Sequence, residues 1–203
     1  MSNVSSDADQ VKSVIDIADH ITIKIVVVGD YGVGKTSLVD VLHGDQFPHS
    51  PEPTICAMMM LPNMHGKQVQ LWDTAGTEKF RAILPIYYRN ADIIMICVNY
   101  DNEKITEKFE EWEEEVLANF SEAQLSNIKV IKVVTKYDLK DSGIINAFPF
   151  TEDMIATSAK TGEGVDMLRS KLESIVDGVV LSAITAKQSF AEFRIDNERK
   201  KCC

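Results

Sequence analysis

The chain has 203 residues, enough for one domain whose hydrophobic core is stable without disulfide bonds. Hydrophobic residues make up 45% of it and charged residues 26%, a balance typical of globular rather than disordered proteins. The net charge of −10 and the lack of a basic stripe exclude a nucleic-acid-binding surface, and four unevenly placed cysteines favour a reducing compartment over a disulfide framework.

The N-terminal residues 1–21 are rich in serine and aspartate and do not have the pattern of a signal peptide. Val11, Val14, Ile15 and Ala18 have the spacing of one or two amphipathic helical turns, but a flexible extension is the simpler interpretation. No run in the chain reaches the roughly 18 apolar residues that a membrane span needs, so the sequence predicts a soluble body.

A glycine-rich loop follows the first predicted strand, at residues 23–29. It fits the pattern G-x-x-x-x-G-K-[ST] of a phosphate-binding P-loop, with a strand before it and a helix to about residue 42 behind it. Its backbone N–H groups would face an anion at a helix N-terminus, Lys35 would reach the β and γ phosphates, and the Thr36 hydroxyl would bind Mg²⁺. The strand and helix disfavour the alternative, a glycine-rich turn with an exposed lysine. The residues predicted to bind here are Gly32, Val33, Gly34, Lys35, Thr36 and Ser37.

The middle of the chain predicts a loop and then a hairpin. Residues 44–54 contain three prolines and cannot form regular structure. Strands at 55–61 and 69–74, joined by a turn, predict one antiparallel edge. The continuous apolar run at 93–98 is expected for a central strand that is covered on both faces.

The second half of the chain continues the alternation of strands and helices. Residues 103–120 have apolar residues three and four apart, opposite a glutamate-rich face that we interpret as solvated. Strands at 130–134 and 154–157 and a closing helix at 165–176 follow. This order predicts an α/β fold of three layers around a six-stranded, mostly parallel sheet. A nucleotide would then bind at the carboxyl ends of the strands.

Three predicted strands end in short polar segments that a P-loop alone does not require. They are Trp72-Asp73-Thr74-Ala75-Gly76, Thr135-Lys136-Tyr137-Asp138 and Thr157-Ser158-Ala159-Lys160. With the P-loop, Thr54 and the terminal Cys202-Cys203, they make the chain resemble the small Ras-like GTPases, and within them the Rab family. The resemblance covers about residues 22–177 and the last two residues, so the fold it implies is the Ras-like P-loop NTPase fold.

The resemblance implies a role for each matching residue at the phosphate end. Asp73 would hold Mg²⁺ through water, beside the direct ligands Thr36 and Thr54. The Gly76 N–H would meet the γ-phosphate. The implied catalytic residues are Lys35, Thr54, Gly76 and Thr77.

The resemblance also implies how a guanine base would be read. Asp138 would accept hydrogen bonds from N1 and the exocyclic amine, which adenine does not offer in that arrangement. Lys136 would lie along the base, and Phe47 would pack against it. The Ala159 N–H would bind the guanine carbonyl oxygen, with Ser158 and Lys160 supporting it. Thr135 is also among the implied nucleotide-binding residues.

The implied activity is hydrolysis of GTP to GDP and phosphate in a switch that controls vesicle traffic. Loops 44–54 and 76–89 would be the switches, contacted by an exchange factor, a GTPase-activating protein and effectors. Two alternatives stay open: an effector-recruiting GTP-binding module with negligible hydrolysis, and a P-loop ATPase or kinase, which Asp138 disfavours.

The chain departs from the family pattern near the predicted γ-phosphate. Thr77 stands where the family usually has the glutamine that orients the attacking water. Tyr31 stands in the P-loop where the family usually has a small residue, and a phenol there would crowd the same water. We therefore expect slow intrinsic hydrolysis.

Three further departures concern recognition. Thr135 stands where most Rabs have asparagine, although Rho-type relatives also use threonine. Cys56 replaces a glycine, and Met59 replaces a phenylalanine that would form an aromatic trio with Trp72 and Tyr87. We expect a softer partner surface, unless these methionines are ordinary strand residues. The short linker at 142–152 predicts that the helix before the last strand is truncated.

Residues 178–203 form a predicted variable tail, less regular than the domain. Cys202 and Cys203 resemble the Rab signal for two geranylgeranyl groups, and two lipid chains give stable attachment. Arg199, Lys200 and Lys201 would add attraction to an anionic leaflet. The resemblance thus implies a prenyltransferase with its escort protein, a GDP-dissociation inhibitor, and a peripheral position on the cytosolic face of an intracellular membrane. A dimerisation segment at 179–184 is a weaker alternative.

Overall fold

The computed structural model describes residues 21–48, 54, 56–62, 64–76, 82–142, 151 and 153–201. In chain order these residues form β1 (Thr22–Val28), α1 (Lys35–His43), β2 (Cys56–Met60), β3 (Gln68–Thr74), α2 (Leu84–Tyr88), β4 (Ile93–Asn99), α3 (Ile105–Leu117), α4 (Glu122–Leu125), β5 (Lys129–Thr135), a 3₁₀ helix (Tyr137–Ser142), β6 (Met154–Ala156) and α5 (Val165–Lys201). Each strand and each of the longer helices lies where the sequence pattern predicts one.

The strands form one six-stranded sheet in the order β2-β3-β1-β4-β5-β6. β2 pairs with β3 in the antiparallel sense, and all other neighbouring strands are parallel. This confirms the predicted fold class. Valine and isoleucine dominate β1, β4 and β5, because strands covered by helices on both faces are apolar on both faces.

The two faces of the sheet carry separate hydrophobic clusters. Alternate residues of β4 point to opposite sides: Met95 and Cys97 join the cluster under α1 and α5, while Ile94 and Ile96 join the cluster under α2 and α3. All of β4 from Ile93 to Cys97 is fully buried. This confirms that the continuous apolar run at 93–98 is a central strand that is covered on both faces.

Helix α5 is longer than predicted. It begins at Val165, as expected, but it continues past residue 176 to Lys201. Val180 is buried, and Val179 and Ile184 pack against the same core cluster as the first half of the helix. The single glycine in this stretch, Gly178, does not end the helix, since one glycine costs only about 1 kcal/mol there.

One prediction about the partner surface is wrong. Met59 packs against the core cluster on the α1 and α5 side, whereas Trp72 packs against the opposite cluster. In the antiparallel register Met58 lies opposite Trp72, so Met58 and Met60 share its face. Met58 is 49% exposed and Met60 43%. The soft surface beside Trp72 and Tyr87 is therefore built from Met58 and Met60, not from Met59.

Other predictions fall on residues outside the described ranges. These are the N-terminal extension, the truncated helix expected between residues 142 and 152, and the terminal cysteines. Within the described residues, no helix is both long enough and apolar enough to cross a bilayer.

The turn between β2 and β3 is attached to α5. Arg169 donates hydrogen bonds to the carbonyl oxygens of Leu42 and Pro62, the second at 3.3 Å. His65, in the turn, has Nδ1 2.9 Å from Asp177 Oδ2 and Nε2 3.6 Å from Glu173 Oε2. The hydrogen bond to Asp177 raises the pKa of His65, with a smaller opposing effect of Lys67.

We predict that this raised pKa depends on Asp177. The Asp177→Asn variant should move the pKa of His65 down towards its ordinary value, measured by an NMR titration of the imidazole. Because the folded pKa is the higher one, the contact stabilises the fold fully below the unfolded-state pKa of about 6.5. That stabilisation is lost as the pH rises through the folded pKa.

Asp166→Asn, in the first turn of α5, is the matched control and should leave the His65 titration unchanged. Equal His65 pKa values in the wild type and in Asp177→Asn would contradict the assigned contact.

Candidate functional site

The P-loop turns sharply where β1 ends against β4. Gly29 has φ +144°, and a Cβ atom there would lie 2.2 Å from the carbonyl oxygen of Cys97. Only glycine allows this approach without displacing one of the two backbones. The Cys97 side chain is fully buried beneath the loop, and burial raises the pKa of its thiol to about 12. The loop therefore rests directly on the central strand.

Lys35 is folded back onto the loop that precedes it. Its Nζ donates hydrogen bonds to the carbonyl oxygens of Gly29, at 2.8 Å, and Asp30, at 2.9 Å. The side chain is only 5% exposed. Burial lowers the pKa of Lys35, while the charges of Asp73 and Asp30 partly oppose that effect. This lysine is a positioned, largely desolvated cation at the start of α1.

Three oxygen-bearing side chains meet beside Lys35. Thr36 Oγ1 donates to Asp73 Oδ2 at 2.7 Å and lies 2.6 Å from Thr54 Oγ1. They come from α1, from the end of β3 and from the segment before β2. The fold thus joins two distant segments to the P-loop through one pair of hydroxyls and one carboxylate.

The residues present fit a magnesium ion. Asp73 is 1% exposed, and within the described part of the chain its Oδ1 atom has no hydrogen-bond donor. Burial raises the pKa of Asp73, because a desolvated carboxylate is costly without a cation. Mg²⁺ is commonly held by one or two carboxylates together with substrate phosphates. Thr36, Thr54 and Asp73 are a donor set of that kind.

A second group of polar residues lies at the ends of β5 and β6. Ser158 Oγ donates to Asp138 Oδ1 at 2.7 Å, and Lys160 Nζ lies 3.9 Å from Asp138 Oδ2. Ser158 is fully buried, so it fixes the orientation of the Asp138 carboxylate. Thr135 Oγ1 donates to the carbonyl oxygen of Val33 at 2.5 Å. Thr135 therefore ties the P-loop to this second group.

One cavity of about 360 Å³ connects the two groups. The predicted site residues that line it are Gly32, Gly34, Lys35, Thr36, Ser37, Phe47, Thr54, Gly76, Thr135, Lys136, Asp138, Ala159 and Lys160. Val33, Asp73 and Ser158 are buried beside the cavity and do not line it. Thr77 lies outside the described residues.

Sequence reasoning missed several residues of the cavity wall. Leu38, Thr74, Leu139 and Thr157 line it, and each directly adjoins or lies within a segment that was singled out. Tyr31, considered only for the phosphate end, also lines the cavity and is 62% exposed. Their closeness in sequence to the motifs was the one feature that could have indicated them, because the chemistry of an apolar side chain such as Leu139 does not suggest a binding role.

The model of the Ras family matches residues 24–177 of the chain. The chain therefore belongs to the Ras family, and curated relatives with Rab names support a divergent, Rab-like small GTPase. It is 32% identical to the Ras-related protein Rab-5B of Plasmodium falciparum over 181 residues, 84% of each chain. It is 34% identical to the Ras-related protein RabZ of Dictyostelium discoideum, covering 75% of this chain and 70% of the relative.

A third relative is the Ypt/Rab-type GTPase Rab7 of Gibberella zeae, which is 32% identical over 126 residues. That match covers 60% of this chain and 62% of the relative.

We predict that Gly29→Ala destabilises the fold by about 2–4 kcal/mol. The added Cβ would collide with the Cys97 carbonyl, and φ +144° is strained for any other residue. Urea denaturation of both proteins in the same buffer measures the difference.

Gly32→Ala in the same loop is the control. Gly32 has φ +73°, but no described atom lies within 4 Å of an added Cβ there, so only the backbone strain of about 1–2 kcal/mol applies. Equal losses in the two variants would show that the approach to Cys97 is unimportant.

Proposed function

We propose that this protein binds a guanine nucleotide with Mg²⁺ and slowly hydrolyses GTP to GDP and phosphate. The observation that carries the proposal is the single cavity that joins the Lys35 and Thr36 end to the Asp138 and Ser158 end. A phosphate-binding loop alone fits many nucleotides. A fixed carboxylate at the opposite end of the cavity favours a base with two adjacent donors, and guanine is such a base.

At the phosphate end, Lys35 supplies the main positive charge. Two of its three N–H donors are bonded to loop carbonyls, so the ammonium group is already oriented across the loop, where it would bind a phosphate oxygen. Backbone N–H groups between Gly32 and Thr36 lie at the start of α1, where the helix dipole adds to the attraction. These groups would stabilise the charge that develops as the terminal phosphoryl group is lost.

Mg²⁺, when bound, would neutralise phosphate charge and polarise the terminal phosphoryl group. Thr36 and Thr54 would ligate it directly, and Asp73 would hold it through water. Asp73 has a buried oxygen without a donor, so a cation would relieve the desolvation cost described above.

At the base end, Asp138 would accept hydrogen bonds from N1 and the exocyclic amine of guanine. Ser158 and Lys160 keep its two oxygens in place. Phe47 and the stem of Lys136 line the cavity and would pack against the base. The Ala159 N–H would bind the guanine carbonyl oxygen.

The positions of Thr54 and Gly76 suggest how the γ-phosphate would control the switch loops. They flank β2 and β3, two strands that pair in the antiparallel sense, and both line the cavity. A Cβ at residue 76 would lie 2.5 Å from both Lys35 Nζ and the Asp30 carbonyl oxygen, so the Gly76 backbone lies against the P-loop. A γ-phosphate would thus contact the end of switch loop 44–54 and the start of switch loop 76–89, and its loss would release both loops.

The cellular role we propose is that of a Rab-type switch in vesicle traffic. The match to the Ras family and the similarity to proteins named as Rab GTPases support this role. In this role Cys202 and Cys203 would carry geranylgeranyl groups, added by a prenyltransferase with its escort protein, and a GDP-dissociation inhibitor would extract the GDP form. Exchange factors, GTPase-activating proteins and effectors would bind the switch loops on the cytosolic face of an intracellular membrane.

The decisive experiment is to purify the full chain in the presence of Mg²⁺ and identify the nucleotide that it retains. We expect GDP, GTP or both in about equimolar amount with the protein. GDP would indicate a working hydrolytic cycle, and GTP a stalled one. A chain that retains neither, or that prefers ATP in competition, would contradict the proposal.

Base selection should depend on Asp138. We expect Asp138→Ala to lose at least about a hundredfold of its preference for GTP over ATP, because two hydrogen bonds to a charged group contribute about 1.5–3 kcal/mol each. Competition binding with labelled GDP measures the ratio. Asp153→Ala is the control. Asp153 directly precedes β6, at the end of the strand away from Ser158, so this variant should retain the wild-type ratio. A similar ratio for all three proteins would remove Asp138 from base recognition.

Hydrolysis should be limited by Thr77 and Tyr31. Threonine is too short to orient water in line with the γ-phosphate, and Tyr31, a P-loop residue that lines the cavity, would crowd the same water. We expect Thr77→Gln to raise the single-turnover rate at least about tenfold, and Tyr31→Gly to raise it further. Thr106→Gln on α3 is the control for adding a glutamine elsewhere.

A wild-type rate equal to that of glutamine-bearing relatives, with no gain in Thr77→Gln, would overturn this explanation. Negligible turnover that no substitution restores would favour the second candidate, a GTP-binding module that recruits effectors without hydrolysis. Thr77 and Tyr31 are the observations that favour this candidate.

A further inference from the structure

An ion pair joins the 3₁₀ helix that carries Asp138 to the loop before α5. Lys140 Nζ donates a hydrogen bond to Glu163 Oε1, and the two atoms lie 2.5 Å apart. Lys140 follows Asp138 by two residues, and Glu163 follows Ser158 by five. The ion pair therefore connects, from outside, the same two segments that the bond from Ser158 to Asp138 connects within the site.

Lys140 is held at a second point by a pair of aromatic rings. Its Nζ lies 4.5 Å from the centroid of the Tyr137 ring. That ring meets the buried ring of Tyr100 edge to face, with the centroids 5.3 Å apart. The Tyr100 N–H donates to the carbonyl oxygen of Thr135 at 2.8 Å, which fixes Tyr100 in turn. An exposed lysine loses side-chain entropy when it forms an ion pair, and the aromatic contact offsets part of that loss.

Glu163 is fixed through its own backbone. Its carbonyl oxygen accepts a hydrogen bond from the Ser158 N–H at 2.8 Å, and the Gly162 N–H donates to the Ser158 carbonyl oxygen at 2.8 Å. These two bonds close residues 158–163 into a tight loop. The loop contains Ala159, whose N–H is proposed above to bind the guanine carbonyl oxygen. The carboxylate that pairs with Lys140 therefore belongs to a rigid part of the base-binding end.

The position of Asp138 depends on the helix that carries it. Ser158 holds Oδ1 closely, at 2.7 Å, but Lys160 Nζ is 3.9 Å from Oδ2 and the Lys160 side chain is 68% exposed. A contact that is long and exposed restrains a carboxylate only weakly. The direction of Oδ2 is therefore set mainly by the backbone of the 3₁₀ helix, and Lys140 ties that backbone to the neighbouring loop.

We propose that Lys140 and Glu163 are positioning residues for the recognition of guanine. Their ion pair holds the 3₁₀ helix against loop 158–163, so that both oxygens of Asp138 face N1 and the exocyclic amine at the same time. In the part of the chain that the structure describes, neither residue lines the cavity, so both act through Asp138. This inference rests on the proposed binding of a guanine nucleotide.

A comparison of GDP with inosine diphosphate (IDP) tests the proposal. IDP keeps the N1 donor but lacks the exocyclic amine, so the ratio of the two affinities measures whether Asp138 accepts both hydrogen bonds. Lys140→Ala in the full chain should lower the preference for GDP over IDP about fivefold or more, because it removes two contacts that each contribute up to about that factor. Displacement of fluorescently labelled GDP in the presence of Mg²⁺ measures both affinities.

Further substitutions separate the ion pair from other effects of Lys140. Glu163→Ala should lower the ratio less than Lys140→Ala does, because the ammonium group keeps its contact with Tyr137. The double variant should be no worse than Lys140→Ala, since both residues act through one contact. Lys140→Arg should restore most of the ratio, because a guanidinium group pairs with carboxylates and also stacks on aromatic rings.

Lys132→Ala is the matched control. Lys132 also links β5 to neighbouring elements, with Nζ 3.0 Å from Glu113 Oε2 and 3.1 Å from Asp153 Oδ2. Asp153 precedes β6 at the end of that strand away from Ser158. The variant therefore loses a comparable pair of contacts away from the base-binding end, and it should retain the wild-type ratio of affinities.

Two results would overturn this inference and leave the proposed function intact. The first is an equal fall in the affinities for GDP and IDP in Lys140→Ala, which would mean that the residue stabilises the fold without orienting Asp138. The second is full additivity of the effects of Lys140→Ala and Glu163→Ala, which would mean that the two residues act separately. A wild-type protein that binds neither nucleotide would overturn the proposed function together with this inference.

Discussion

The buried carboxylate of Asp73 is the constraint on which the site depends. It lies near the end of β3, almost inaccessible to water, with one oxygen held by Thr36 and the other without a donor among the described residues. Such a group is tolerable only beside a cation or strong donors. Lys35 nearby, and the hydroxyls of Thr36 and Thr54, provide part of that compensation. The part of the desolvation cost of Asp73 that these groups do not offset explains why the site suits a divalent ion.

This constraint also organises the sheet edge. β3 delivers Asp73 to the site and ends two residues before Gly76, while the antiparallel partner β2 begins just after Thr54. The same hairpin, at its other end, contacts α5 through His65 and receives a hydrogen bond from Arg169. The hairpin is thus held by polar contacts at both ends, and its middle packs on the two core clusters through Leu71 on one face and Trp72 on the other.

Much of the fold could be predicted because its signals are local. Strand periodicity and the glycine loop are encoded in short stretches, and the polar segments after the strands meet because parallel strands end at one edge. The face to which Met59 points could not be read from the sequence, because adjacent methionines give no alternation and only the register settles it. The predicted end of α5 at residue 176 is too early, because the sequence after it is less regular than the domain and Gly178 does not stop the helix.

Long-range hydrogen bonds within the site were also beyond sequence reasoning. Thr135 was noted as a departure from the usual asparagine, but its bond to the Val33 carbonyl depends on how β5 and the P-loop approach each other. Likewise, the resemblance named Ser158 as supporting, and the structure shows what it supports: the Asp138 carboxylate. Which residue of a motif touches which is a property of packing rather than of spacing.

The position of Cys97 has a practical consequence for chemical labelling. A thiol must ionise and be reached before it reacts, and this one is fully enclosed with a pKa of about 12. Maleimide or iodoacetamide probes added to the native chain should therefore spare it, while Cys56 is partly accessible. The rate at which label appears at Cys97 would then measure how often β4 opens beneath the P-loop.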